Sequence, residues 1–196
     1  MTTTNTSPMI QESADLTHHL LLAMPRVVSG SLADSVIYVC EHNDQGALGL
    51  VINRVTDLSL IDMLGRLSVP ILDPSALQDR QVMFGGPVQT DRGFVLHDAQ
   101  KPYSSSLAVG ALTLTTSRDV LEDIAQGHGP AHALVTLGYA GWDAGQLEQE
   151  MSQNAWLNVK ATDEILFETP FEQRYEMALA LLGINPMMLT GDAGHA

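Results

Sequence analysis

Ser35-Val36-Ile37-Tyr38-Val39-Cys40-Glu41, then His42-Asn43-Asp44-Gln45-Gly46, then Ala47-Leu48-Gly49-Leu50-Val51-Ile52 is the stretch that decides the fold class. Two apolar, β-type runs flank five residues that include Asn, Asp and Gly, which reads as a β-hairpin. Ahead of it, Leu20 to Met24 is a buried strand stopped at Pro25, because proline cannot donate into a ladder and restricts the residue before it. Val36, Tyr38 and Cys40 share one side of their strand, so the single cysteine is expected as a packed core thiol.

Beyond the hairpin, strands and helices mix. Further strands are expected at Gln81–Phe84, Gly93–His97, Ala111–Thr115, Ala133–Tyr139, Trp156–Lys160 and Glu164–Phe167. Ser59 with Asp62 resembles a capping box, with Leu58 placed to staple onto Met63, and Asp143 with Gln146 is a looser version. Thr169-Pro170-Phe171-Glu172 opens a helix whose inner face is Phe171, Tyr175, Ala178, Leu179 and Leu182, stopped at Gly183. Another helix spans Arg118 to Gln126, with Val120, Leu121 and Ile124 facing inward. The pattern lacks the regular βαβ rhythm of a doubly wound sheet, and no repeat or linker divides the chain after residue 15. The expected fold is α+β: a single compact domain of mixed, largely antiparallel sheet intertwined with about four helices. Residues 1–15 read as a mobile polar leader and 16–196 as the domain.

Composition bounds the function. The 196 residues, 45% of them hydrophobic, suffice for a core that buries roughly 70% of the unfolded surface without disulfides. One cysteine excludes an internal disulfide framework and fits a reducing, cytoplasmic setting. The N-terminus has no secretory pattern, and no apolar run reaches the length of a membrane span, so no membrane association is expected. Nine Lys and Arg against 23 Asp and Glu give a net charge of −14, which opposes direct nucleic-acid binding. The acids of the last third are interleaved with apolar residues, as on solvated helix faces.

Phosphate-loop, nucleophile-elbow, HExxH and CxxC patterns are absent from the sequence. Gly127-His128-Gly129-Pro130-Ala131-His132 lacks the strand-then-helix context of a dinucleotide site, and its glycines and proline forbid the helix that would align the two histidines on a metal. No cofactor and no resident metal are expected. Two clusters carry candidate chemistry. Glu41, His42 and Asn43 open the hairpin while Asn53 and Arg54 close its return strand, so a carboxylate, an imidazole, amides and a guanidinium would meet near strand ends. In the second, Gly85 and Gly86 would let the backbone approach a ligand, Arg92 could hold an anion, and His97 could act as acid or base. Tight turns, ion pairs and strand-end hydrogen bonds are the structural alternative for the same residues. Gly138-Tyr139-Ala140-Gly141-Trp142, with Trp156, reads as a strand–helix junction locked into the core, or as a stacking platform.

The sequence resembles the AlgH/YqgE family of bacterial proteins. The resemblance rests on ordered blocks: Ala23-Met24-Pro25, Cys40 to Asn43 with Gly46 to Arg54, Gly85-Gly86-Pro87-Val88, Arg92 to His97, Leu137 to Trp142 with Gly145 to Glu148, Asn154-Ala155-Trp156-Leu157, and the terminal Ala193-Gly194-His195-Ala196. The chain departs from the family pattern after Met24-Pro25, at Arg26 to Leu32. The family implies a compact α+β fold and, through its name, a regulatory role, and it brings no catalytic residues. Its resemblance also suggests that residues 193–196 dock against the body. Together these readings point to a non-enzymatic binding or regulatory protein acting through a protein partner or small ligand. The alternative is an enzyme for a small polar or anionic substrate, with His42 or His97 as acid/base and Arg54 or Arg92 as clamp. No segment carries a dimerisation signature.

Overall fold

The computed structural model describes residues 14–98 and 101–189. Most of the expected leader and the terminal residues 193–196 lie outside the described residues.

The strands are β1 (His19–Ala23), β2 (Val36–Asn43), β3 (Gly46–Val51), β4 (Val55–Ser59), β5 (Gln81–Phe84), β6 (Val88–Asp98), β7 (Ser106–Val109), β8 (Leu112–Thr115), β9 (Ala133–Asp143) and β10 (Trp156–Lys160). They join in the order β10-β1-β2-β3-β9-β6-β8-β7, with β4 pairing β5 and β5 pairing β9. Neighbours are antiparallel except β5 and β9, which run parallel with Met83 opposite Thr136. The long β9 is the hub: its C-terminal half pairs β3, and its N-terminal half pairs β5 and β6. The helices are α1 (Leu60–Arg66), α2 (Asp119–Ala125), α3 (Gln146–Ser152), α4 (Arg174–Leu181) and the single turn α5 (Pro186–Leu189). This is the expected α+β class, a single domain built on a curled, mainly antiparallel sheet.

Alternation along the strands explains the layers. Leu20, Leu22, Val36, Tyr38, Cys40, Leu50, Leu96 and Leu114 lie on one face, in one cluster with Ile165, Leu166, Ala178 and Leu179. The other face divides between α3, over Leu21, Ile37, Val39 and Val51, and α1 with α2, over Val82, Val95 and Val135. The sheet curls so far that the turn between β7 and β8 meets β1's entry: a Cβ on Gly110 would lie 3.8 Å from the His18 ring.

Local signals explain several boundaries. The Ser59 hydroxyl accepts from Asp62 N–H at 3.1 Å and starts α1, and Gln146 reaches back to accept from Asp143 N–H at 2.9 Å before α3. Val120, Leu121 and Ile124 of α2 are buried, and Gly183, at φ +68°, stands just past α4.

Four expectations are corrected. The hairpin turn is two residues, Asp44 and Gln45, because Asn43 pairs with Gly46 and the Asn43 carboxamide oxygen accepts from Gln45 N–H at 2.8 Å. Glu164–Glu168 is a π turn, not a strand: the adjacent Ile165 and Leu166 are both buried in one cluster, which alternation along a strand forbids. Thr169 does not cap the last helix; its hydroxyl donates back to Glu164 C=O, and a 3-10 turn, Phe171–Gln173, precedes α4. Tyr139 does not end its strand, since β9 continues through Trp142.

His18 lies at the closure of the curl, Nδ1 2.7 Å from the Tyr38 hydroxyl, with the rings edge to face. Burial pushes the His18 pKa down, nearby Lys160 adds to this, and Asp163 opposes it. A folded-state value below the unfolded one means that the unfolded chain binds the extra proton. Stability is then lost as pH falls through about 6.5 toward the folded value. Urea midpoints measured between pH 7 and 5 should therefore fall less in His18→Gln than in the wild type; equal slopes would refute this.

Candidate functional site

The two expected clusters do not assemble. Asn53 sits at the far end of the hairpin from Glu41 and Asn43: its side-chain oxygen accepts from Val36 N–H at 2.8 Å. The ends are separated by most of β2, about 20 Å at strand rise. Arg54 donates to the carbonyls of Ser31 and Ala33. It thereby braces the segment between β1 and β2.

Strand alternation sends Glu41 and His42 to opposite faces, and a bulge between Val39 and Glu41 sets which face each takes. Beyond it Glu41 is opposite Leu48 and His42 opposite Ala47, so Cys40 and Glu41 fall on the same face. Glu41 and Asn43 are exposed there, while His42 turns to the α3 side. Its Nδ1 accepts from Leu16 N–H at 3.1 Å, so Nε2 carries the proton and donates to Glu148 at 3.0 Å. Both ring nitrogens are occupied in holding the chain's entry and α3 to the sheet.

Gly85 and Gly86 do admit a close backbone approach, but from the protein itself. A Cβ on Gly86 (φ +151°) would lie 2.1 Å from the Tyr139 carbonyl carbon, and one on Gly138 (φ +74°) 2.3 Å from Gly86 O. Gly85 donates to Leu137 C=O and accepts from Val51 N–H, each at 2.8 Å. The pair forms the crossing of the β5–β6 connection over β9, with no room for a ligand.

His97 is fully buried near the C-terminal end of β6, five residues beyond Arg92. Its Nδ1 donates to Asp98 C=O at 2.9 Å, so Nε2 accepts from the Thr115 hydroxyl at 2.8 Å, whose oxygen in turn lies 2.8 Å from Ser106 Oγ. The chain of hydroxyls reaches from core to surface. The arrangement satisfies the buried ring nitrogens and the Thr115 hydroxyl, so His97 belongs to the polar network of the core. Cys40 is unsuited to chemistry: burial pushes its thiol well above the ordinary range, so it stays protonated.

What the fold does assemble is a groove on the face of the sheet that carries the main core, past the level at which that core closes. Its first basin, about 430 Å³, is lined by Glu41, Asn43, Gln45, Leu48, Val88, Tyr139, Trp142 and Asp143 among others. A second, about 290 Å³, shares Leu48 and Tyr139 and continues over Phe94 to Arg92, Ser105, Ser106 and Thr116. The lining comes from β2, β3, β9, β6, β8 and β7 in their order across the sheet, so the groove crosses the strands. One wall is an irregularity in β6: between the pairs Val88–Tyr139 and Gly93–Leu137, four residues of β6 loop away opposite a single residue of β9. Gln89 there has φ +47°, and Arg92 contacts its side chain at 3.3 Å while lying 5.5 Å from the centre of the Phe94 ring.

Of the nine expected site residues, Glu41, Asn43 and Arg92 line this groove; His42, Asn53, Arg54, Gly85, Gly86 and His97 do not. Sequence reasoning missed Leu48, Val88, Phe94 and Asp143 as lining residues. No local signal marks them, because their place in the groove depends on which distant strands lie alongside. Trp142 and Trp156 pack edge to face at 5.9 Å, and both are buried, so they lock the core beside the groove. Among the described residues, no group of three or more His, Cys, Asp or Glu is placed to hold a metal, and no helix is long and apolar enough to cross a membrane.

Comparison with known proteins places this geometry in a lineage. A family model described as AlgH-like matches residues 20–187. UPF0301 protein Bpet0561 of Bordetella petrii is 60% identical over 184 residues, 94% of this chain and 91% of that one. A UPF0301 protein of Ralstonia pickettii is 55% identical over 93% of this chain and 96% of that one. The solution structure of AlgH from Pseudomonas aeruginosa superposes with a TM-score of 0.77 at 49% identity, covering 99% of this chain and 100% of that one. Protein DIP2367 of Corynebacterium diphtheriae, at 18% identity and a TM-score of 0.66 over 92% of each chain, shares the fold.

Proposed function

The chain belongs to the AlgH-like family, and from that premise we propose that it is a non-enzymatic binding protein with a regulatory role, whose binding site is the groove across β2, β3, β9, β6, β8 and β7. The observation that carries the reading is a pair of adjoining depressions that share the apolar residues Leu48 and Tyr139, with Phe94 in the second and polar groups at the outer end of each. Ligand sites favour concavities lined mainly by apolar side chains with a few polar groups to fix orientation. The two histidines of the enzymatic alternative are held in structural hydrogen bonds elsewhere. A net charge of −14 disfavours nucleic-acid phosphate, and the groove itself carries both signs, Glu41 and Asp143 in one basin and Arg92 in the other.

The test is selection from a random decapeptide display library. Selected peptides should bind the wild type and lose at least tenfold in affinity on Val88→Asp, a substitution at a half-exposed groove residue. Failure to select any peptide, or selection of peptides indifferent to Val88→Asp, would refute a groove-borne protein partner.

A further inference from the structure

Resting on that reading, we infer that the groove's occupant is an extended segment of another protein, with a basic side chain about four residues from a carboxylate and an apolar side chain between them. The charges are separated along the groove. Glu41 and Asp143 lie in the first basin, where no Lys or Arg is among the lining residues, and Asp44 is exposed on the adjoining turn. Arg92 lies in the second basin, with Asp91 exposed beside it on the chain but not in the lining. Leu48 and Tyr139 belong to both basins and form the apolar middle.

Strand spacing converts this order into a ruler. From β2, which bears Glu41, to β6, which bears Arg92, there are three strand intervals, about 14 Å across the strands, and the register sets Arg92 about three residues, roughly 10 Å, along β9 from the level of Glu41, so the two lie about 17 Å apart. An extended chain covers about 14 Å of that in four residues, and the long side chains at its two ends span the rest. The full crossing from β2 to β7 is about 24 Å along the sheet, or roughly seven residues. In an extended segment, side chains at the first, third and fifth positions point the same way. A basic residue, an apolar residue and an acidic residue at those positions therefore reach Glu41, the Leu48–Tyr139 floor and Arg92 together. Beyond Arg92 the hydroxyls of Ser105, Ser106 and Thr116 offer hydrogen bonds to the segment's backbone or polar side chains.

The experiment uses three synthetic heptapeptides, each with leucine at the fourth position, serine at the third and fifth, and charges at the second and sixth that are Lys/Glu, Lys/Lys or Glu/Glu, titrated calorimetrically into the full chain. The Lys/Glu peptide should bind the wild type at least tenfold more tightly than the other two. Arg92→Glu should shift the preference to Lys/Lys and Glu41→Lys to Glu/Glu; both substitutions are at exposed side chains, so folding is preserved. If library-selected peptides depend on Val88 but none of the three heptapeptides shows the charge preference, this inference fails while the binding reading stands. If neither library nor heptapeptides bind, both fail. A small metabolite that raises the melting temperature and displaces groove-bound peptides would overturn the peptide occupant, as would self-association of the wild type that Val88→Asp abolishes.

Discussion

Gly86→Ala is expected to prevent folding. The added Cβ would meet the Tyr139 carbonyl carbon at 2.1 Å and Ala140 N at 2.4 Å, both main-chain atoms that cannot rotate away, at a φ of +151° that L residues rarely adopt. Relief requires moving β9 away from the β5–β6 connection, and β9 is the strand that joins β3, β5 and β6. The cost is on the order of 4 kcal/mol or more, the range reserved for backbone strain and disrupted cores. That is comparable to the entire stability of a modest domain. Gly65→Ala is the internal control: it lies in α1 with open space around the new methyl, and should stabilise by about 0.5–1 kcal/mol. Circular dichroism and thermal melts of the two variants decide the matter. A Gly86→Ala protein melting like the wild type would show that the crossing has slack the geometry denies.

Glu150→Ala should give the next largest loss. One carboxylate oxygen accepts from both indole N–H groups, Trp142 at 2.9 Å and Trp156 at 2.7 Å, while the other accepts from the Gln146 amide at 3.0 Å. Alanine leaves two donors on buried rings without their acceptor, which costs roughly 2–4 kcal/mol. For a chain of this size that lowers the melting temperature by about 5–15 °C. Glu150→Gln retains an acceptor oxygen and should lose about half as much. Equal losses in the two variants would show that the charge, and not the shared acceptor, holds the rings.

The contrast between these sites marks what could be read from the sequence. The hairpin, α2 with its inward Val120, Leu121 and Ile124, and the Ser59 cap rest on neighbours within a few residues, and local pattern suffices for them. The Gly86–Gly138 crossing depends on which distant strand lies beneath, and the bulge after Val39 depends on pairing with β3; neither has a local signature. The same reason explains the site. Grouping charged and histidine residues by nearness in sequence joined Glu41 to His42 and Arg92 to His97, but strand alternation and the length of β6 send each pair to different places. Glu41, Asn43 and Arg92 meet the groove only because long-range pairing brings six strands into one surface.

Amide hydrogen exchange with and without a library-selected peptide tests most directly whether the groove is the protein's binding site. Protection should appear in residues 41–48, 88–94 and 139–143, and should vanish in Val88→Asp. Protection confined instead to α1, α2 or α4, with the groove segments unchanged, would contradict it.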